Sequence, residues 1–219
     1  MFLLLFFQFI NAKRLSGFFF NGASMFKALF VSAALAMAAA APAAAEKISF
    51  RITDSAGAPV SGAVVMSAAK GKPVTGTYTM KQSNLTFDPY ILVVPVGAEV
   101  SFPNLDRVRH HVYSFSKGNR FELKLYGKED HRSVTFDNPG IVAIGCNIHD
   151  EMVGYIRVVE SAAFGKTGAD GQLTLDMSPG RVTVWHPDAM GREITMDVPS
   201  APNAPVAVTL KMKPKGHAH

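Results

Sequence analysis

The sequence predicts an all-β protein built of Greek-key sandwiches. Three observations carry this expectation. From residue 46 onward, short runs rich in Val, Ile, Phe, Thr and Tyr alternate with Gly, Pro, Asn and Asp punctuation. The runs are many and closely spaced. No stretch after residue 45 carries a convincing amphipathic helical period.

Taken in order, residues 1–45 stand apart from the rest. They contain no Asp or Glu and are dominated by Phe, Leu and Ala. Met25, Phe26 and Lys27 open an export signal: one Lys supplies positive charge, residues 28–40 supply the apolar stretch, and Ala43, Ala44 and Ala45 supply small residues for cleavage. Cleavage is expected after Ala45, giving a periplasmic chain that begins at Glu46 with no membrane span. Residues 1–24 then reflect either an upstream start codon or a longer leader, Met25 being the expected true start. Their apolar runs fall short of the roughly 20 residues that cross a bilayer. The alternative for residues 28–45 is an uncleaved anchor.

The strands expected next are residues 47–52 and 59–66, separated by the turn Asp54-Ser55-Ala56-Gly57. A middle block follows, with strands at 91–95, 99–102, 111–115, 121–126, 133–136, 141–144 and 155–159. A terminal block has strands at 172–175, 181–185, 193–198 and 206–211, then a short charged tail at 214–219.

Lys13, Arg14 and Lys27 leave with the leader, so 19 basic residues face 17 acidic ones and the mature charge is near +2. That balance, with no basic stripe interleaved with aromatics, is too weak to suggest a nucleic-acid partner, and none is expected. The chain has one cysteine, Cys146, which cannot staple its own fold. A lone exported thiol calls for burial or ligation.

Ligation is the reading favoured by Cys146-Asn147-Ile148-His149-Asp150-Glu151-Met152. A β run ends at Cys146, a short polar loop follows, and an apolar strand returns. A tight loop there carries a thiolate, an imidazole and a thioether towards one point. Soft sulfur with imidazole suits copper, and two His with one Cys and a weak axial Met is an electron-transfer arrangement. A further His is needed, and the chain offers His110 and His111 at the start of an upstream strand. Adjacent residues on a strand point to opposite faces, so only one of the two can bind. The bland alternatives are that Cys146 and Met152 fill core and that His149 is an ordinary loop residue. His131 is expected to be solvated and His186 structural, while His217 and His219 sit in the tail.

On these residues, the block from about 87 to 159 resembles the cupredoxins, similar to amicyanin and plastocyanin and to the small plastocyanin-like methylamine utilisation proteins. The resemblance implies a copper domain over residues 73–160 holding one mononuclear type 1 (blue) copper. It implies His110, Cys146 and His149 as equatorial ligands and Met152 as the axial one. His110 stands at the family's spacing from Asn104, whereas the family's Asn after the first ligand is here His111. The resemblance further implies a single-electron carrier and not an enzyme, with a redox partner such as a c-type cytochrome or a dehydrogenase. Copper binding or delivery without redox exchange is the alternative.

The outer segments share a second resemblance. Asp54-x-x-Gly57-x-Pro59-Val60, followed much later by Thr167-x-x-Asp170-Gly171 and Pro179-Gly180, is similar to the regulatory-like β-sandwich of carboxypeptidases, which is transthyretin-like. It implies a small sandwich assembled from residues 46–72 and 161–213, with its ends close together and the copper domain inserted between the two segments. The alternative is that both ends add strands to one enlarged sandwich.

Overall fold

The computed structural model describes residues 44–71, 76–191 and 193–214. The expected leader and the His-bearing end of the tail lie outside the described residues, apart from Ala44, Ala45 and Pro214. The described residues lie within one compact unit. Among the described residues all regular structure is β, and no helix is long and apolar enough to cross a membrane.

Strand β1 (Glu46–Asp54) buries Ile48, Phe50 and Ile52 completely while the residues between them face outward. That period of two fixes which face meets the core. After β2 (Val64–Ser67) the chain enters the middle block. There it forms β3 (Thr77–Thr79), β4 (Lys81–Ser83), β5 (Thr86–Asp88), β6 (Ile91–Pro95) and β7 (Ala98–Ser101). These are followed by β8 (His110–Ser114), β9 (Phe121–Tyr126), β10 (Ser133–Phe136), β11 (Gly140–Cys146) and β12 (His149–Val159). The chain then returns through β13 (Phe164–Lys166), β14 (Gln172–Met177), β15 (Gly180–Trp185), β16 (Ile194–Val198) and β17 (Val206–Leu210).

Every pairing between named strands stays within one block. The outer segments make two sheets, ordered β14-β1-β17 and β13-β2-β15-β16, whose inner faces share one core around Phe50, Ile52, Val65 and Val184. The middle block makes a five-stranded sheet, β6-β12-β11-β8-β9, facing a smaller sheet, β10-β7-β3, with the β4-β5 hairpin alongside. Its core gathers Phe102, Val112, Phe136, Ile144 and Ile156.

The chain leaves the outer sandwich and re-enters it at one place. The Gly71 N–H donates to Glu160 O at 2.8 Å and the Ala162 N–H to Ala69 O at 2.7 Å. A third cluster of Val64, Met66, Ile91, Val159 and Trp185 joins the two sandwiches. Arg157 Nη2 meets Glu193 Oε1 there at 2.7 Å, and Lys166 Nζ donates to Ile91 O at 2.7 Å. The ends of the outer sandwich are not together, however. Strand β17 runs parallel to β1 and finishes beside Asp54, at the opposite end from Glu46.

Two strand expectations change. The strand expected over residues 59–66 begins only at Val64: Pro59 makes an isolated bridge to Thr53, and a turn then puts Gly62 at φ +77°, a conformation that favours glycine, with its N–H donating to Thr167 O. Strands β3, β4, β5 and β13 were not anticipated, because three-residue strands are too short to show a period. Phe50 has no exposed surface, so Phe50→Ala should cost about 3–5 kcal/mol of stability, checked by chemical denaturation.

Candidate metal centre

The expected loop after Cys146 is a two-residue turn, Asn147-Ile148, with Cys146 paired to His149 across it. The next pair is Gly145 with Val153, so Asp150, Glu151 and Met152 lie unopposed on β12. This bulge, and not a longer loop, gives the segment its irregular backbone. A Cβ added at Gly145 would stand 3.2 Å from the Tyr113 hydroxyl, so the Tyr113 ring packs closely over this position.

Three of the four expected site residues come together. His110 enters from the start of β8, Cys146 from the end of β11 and His149 from the start of β12. Cys146 Sγ lies 3.9 Å from His110 Nδ1 and 3.6 Å from His149 Nδ1. One ligand atom from each of the three residues lies within 4.8 Å of the others. His110 has no exposed surface and Cys146 is buried, whereas His149 is half-buried and meets the His110 ring edge-on at 5.0 Å. Met152, the fourth, is buried in the same core cluster as Cys146.

The donor set fits a metal ion. A nitrogen and a sulfur bound at about 2.0 and 2.3 Å to one tetrahedral ion stand about 3.5 Å apart, near the spacing seen here. Both imidazoles present Nδ1 to the thiol, so no ring needs to turn over for three donors to share an ion.

His111 takes no part in this cluster. Its Nε2 meets Glu122 Oε1 at 2.9 Å, on the opposite face of β8, and its Nδ1 is buried without a partner. The strand's alternation thus separates the two candidates. His131 is exposed, and His186 is buried, accepting the Asp188 N–H at its Nδ1 at 3.1 Å.

The loop before His110 is pinned by Asn104, whose amide donates to Val108 O at 2.8 Å and Tyr126 O at 3.2 Å. Tyr126 is fully buried, which pushes its phenol up to about 12, and its hydroxyl donates to Phe102 O at 2.7 Å. Sequence reasoning used Asn104 only as a spacing mark and missed Asp106. The Oδ2 atom of Asp106 stands 2.9 Å from His110 Nε2, and its carboxylate also accepts the N–H groups of Asn84 and Leu85. Burial pushes this carboxyl up, but the His110 contact and the two N–H groups outweigh it and hold it below the usual carboxylate range. Asn84 and Leu85 form the β4-β5 turn with φ of 55° and 58°, left-handed geometry that costs Leu roughly 1–2 kcal/mol. A signal for Asp106 was present: metal-binding imidazoles commonly give their second nitrogen to a carboxylate.

No protein-family model matches the sequence, and no curated protein matches it. Among solved structures, the chain is similar over 43% of its length to a copper-containing nitrite reductase from Thermus scotoductus, with 28% identity and a TM-score of 0.37. It spans only 25% of that chain. It is also similar over 38% of its length to a purple cupredoxin from Nitrosopumilus maritimus, covering 99% of that chain with 23% identity and a TM-score of 0.34. An oxidised amicyanin variant is covered over 99% by 45% of this chain, with 20% identity and a TM-score of 0.36. The middle block is a cupredoxin-like sandwich, as its two facing sheets and the His–Cys–His cluster at one end define it.

His110→Ala should abolish tight metal binding, whereas His111→Ala should leave it unchanged, checked by Co(II) titration of the purified protein. Equal losses in both variants would contradict the separation of the two rings.

Proposed function

We propose that this protein is a periplasmic type 1 copper protein that carries single electrons between redox partners and is not an enzyme. One observation carries the reading: two imidazole nitrogens and a thiol meet at one end of the cupredoxin-like sandwich, within 4.8 Å of one another. His110, Cys146 and His149 would hold one copper ion, with the thioether of Met152 as a further, weaker ligand. With a single cysteine in the chain, a centre bridged by two thiolates has no second thiolate to use. When bound, copper supplies a one-electron couple.

The protein's own contribution is rigidity and exclusion of water. His110 and Cys146 sit on hydrogen-bonded strands and are buried, so their positions need not change with the charge of the ion. A buried pair of this kind favours a carrier over a delivery protein, whose site must open to release its metal. His149, the more exposed ring, is the exit for the electron. Exposed apolar side chains adjoin the site and its supports: Leu85, Leu105, Val108 and Ile148.

The same reading makes residues 73–160 a copper domain inserted into a regulatory-like sandwich of residues 46–72 and 161–213. The confinement of strand pairing to each block supports that division. Export by the leader, with cleavage after Ala45, belongs to it as well.

The partner is a protein with a basic docking face, a c-type cytochrome or a dehydrogenase. Asp150 and Glu151 are exposed directly after His149, while Arg107 and Arg109 are exposed on the His110 loop. Charge at such a rim governs encounter rate more than affinity. Electron transfer should therefore slow as salt rises, already partly damped at 0.15 M, where the screening length is about 8 Å. Neutralising the pair as Asp150→Asn and Glu151→Gln should lower the association rate and flatten its salt slope in stopped-flow measurements. An unchanged slope would remove the acidic rim from docking.

Copper loading should produce an intense blue charge-transfer band, recorded by optical and spin-resonance spectra. Cys146→Ser should abolish the band, and Met152→Gln should keep the colour with an altered potential. A Cys146→Ser protein that stayed blue would sink the assignment.

A further inference from the structure

We propose that Asp106 is a positioning residue for the metal centre: it fixes the tautomer and orientation of His110 before any ion binds, and the β4-β5 turn holds it in place. The proposal rests on the metal reading above, with His110 as a ligand.

The geometry runs outward from the site in three links. His110 is completely buried, so both ring nitrogens need partners within the protein. Its Nε2 lies 2.9 Å from Asp106 Oδ2, and an ionised carboxylate only accepts hydrogen bonds. In the neutral ring the proton therefore resides on Nε2. Nδ1 is left with a free lone pair facing Cys146 Sγ at 3.9 Å, in the form that a metal ligand requires.

Asp106 is in turn not free to move. Its Oδ1 accepts the Asn84 N–H at 2.7 Å and its Oδ2 the Leu85 N–H at 3.1 Å. Its own N–H donates to Asn104 Oδ1 at 2.9 Å. Both turn donors come from consecutive non-glycine residues with positive φ, which aims two adjacent N–H groups at one carboxylate. A strained turn placed at the support of a site is the pattern expected where backbone geometry serves function.

Two consequences follow. Apo protein already presents His110 in its binding form, so metal entry requires no ring flip or proton relocation there. The carboxylate also makes the imidazole a stronger donor, which favours the more highly charged state of a bound ion and lowers its reduction potential.

The test compares wild type with Asp106→Asn in the mature chain. Glu122→Gln is the control, since it alters the equivalent carboxylate contact to His111 on the other face of β8. In metal-free wild type, nitrogen-15 NMR should report His110 protonated on Nε2. Asp106→Asn should lose that single tautomer, because an amide can donate to Nε2. It should bind Co(II) about 10–100-fold more weakly and, with copper, show a raised potential. Glu122→Gln should match wild type in all three measurements. A folded Asp106→Asn protein with unchanged tautomer and affinity would overturn the proposal while leaving the metal reading intact. Should Asp106→Asn not fold, the wild-type spectrum still decides: His110 protonated on Nδ1 overturns the proposal. A wild-type protein that binds neither Co(II) nor copper would overturn the metal reading and this proposal together.

Discussion

A completely buried imidazole is the constraint on which the rest of the middle sandwich depends. Placing His110 where water cannot reach it leaves two polar nitrogens to satisfy, and an unsatisfied buried polar group costs about 1–3 kcal/mol. One nitrogen is taken by Asp106 and the other faces the thiol. Asp106 then needs its own support, which draws in the β4-β5 turn, and the loop between them needs Asn104. A chain of polar contacts is thus built outward from one ring, and it ties three otherwise separate loops to one end of the sheet.

The two sandwiches divide the work. The outer one is a conventional apolar core, with Ile48, Phe50 and Ile52 alternating inward from β1 against Val65 and Val184. The middle one combines a core of the same kind with a polar end. They are joined away from that end, through Trp185, Ile91 and Val159 and the Arg157–Glu193 pair. The junction between Gly71 and Glu160 lies at the other extreme of β12 from His149, so the join leaves the His–Cys–His end of the middle sheet uncovered by its own anchoring strands.

Much of the site was legible because its residue types are unusual together. A lone Cys says little, but Cys146, His149 and Met152 at three-residue spacing, with an upstream His, carry a chemical meaning that core packing does not supply. Long strands were legible too, since β1 and β9 alternate over enough residues to display a period. The short strands β3, β4 and β5 were not, and β4 and β5 carry the turn that holds Asp106. Support residues escaped for the same reason: Asp106 and Asn84 belong together only because a hairpin turn 22 residues upstream folds back over the loop.

What the sequence determined by itself was the β character, the two-block organisation of motifs and the candidate site residues, all of which follow from local composition, spacing and resemblance. The tertiary structure put His110 beside Cys146 and His149 and His111 on the other face, because strand pairing says which face of β8 meets β11 and β12. It also decided that the segment after Cys146 is a two-residue turn backed by a bulge, and that β17 runs parallel to β1. Register and strand direction are set by long-range hydrogen bonds between residues far apart in the chain. A linear pattern of apolar and polar residues constrains the face of each strand but not its neighbour.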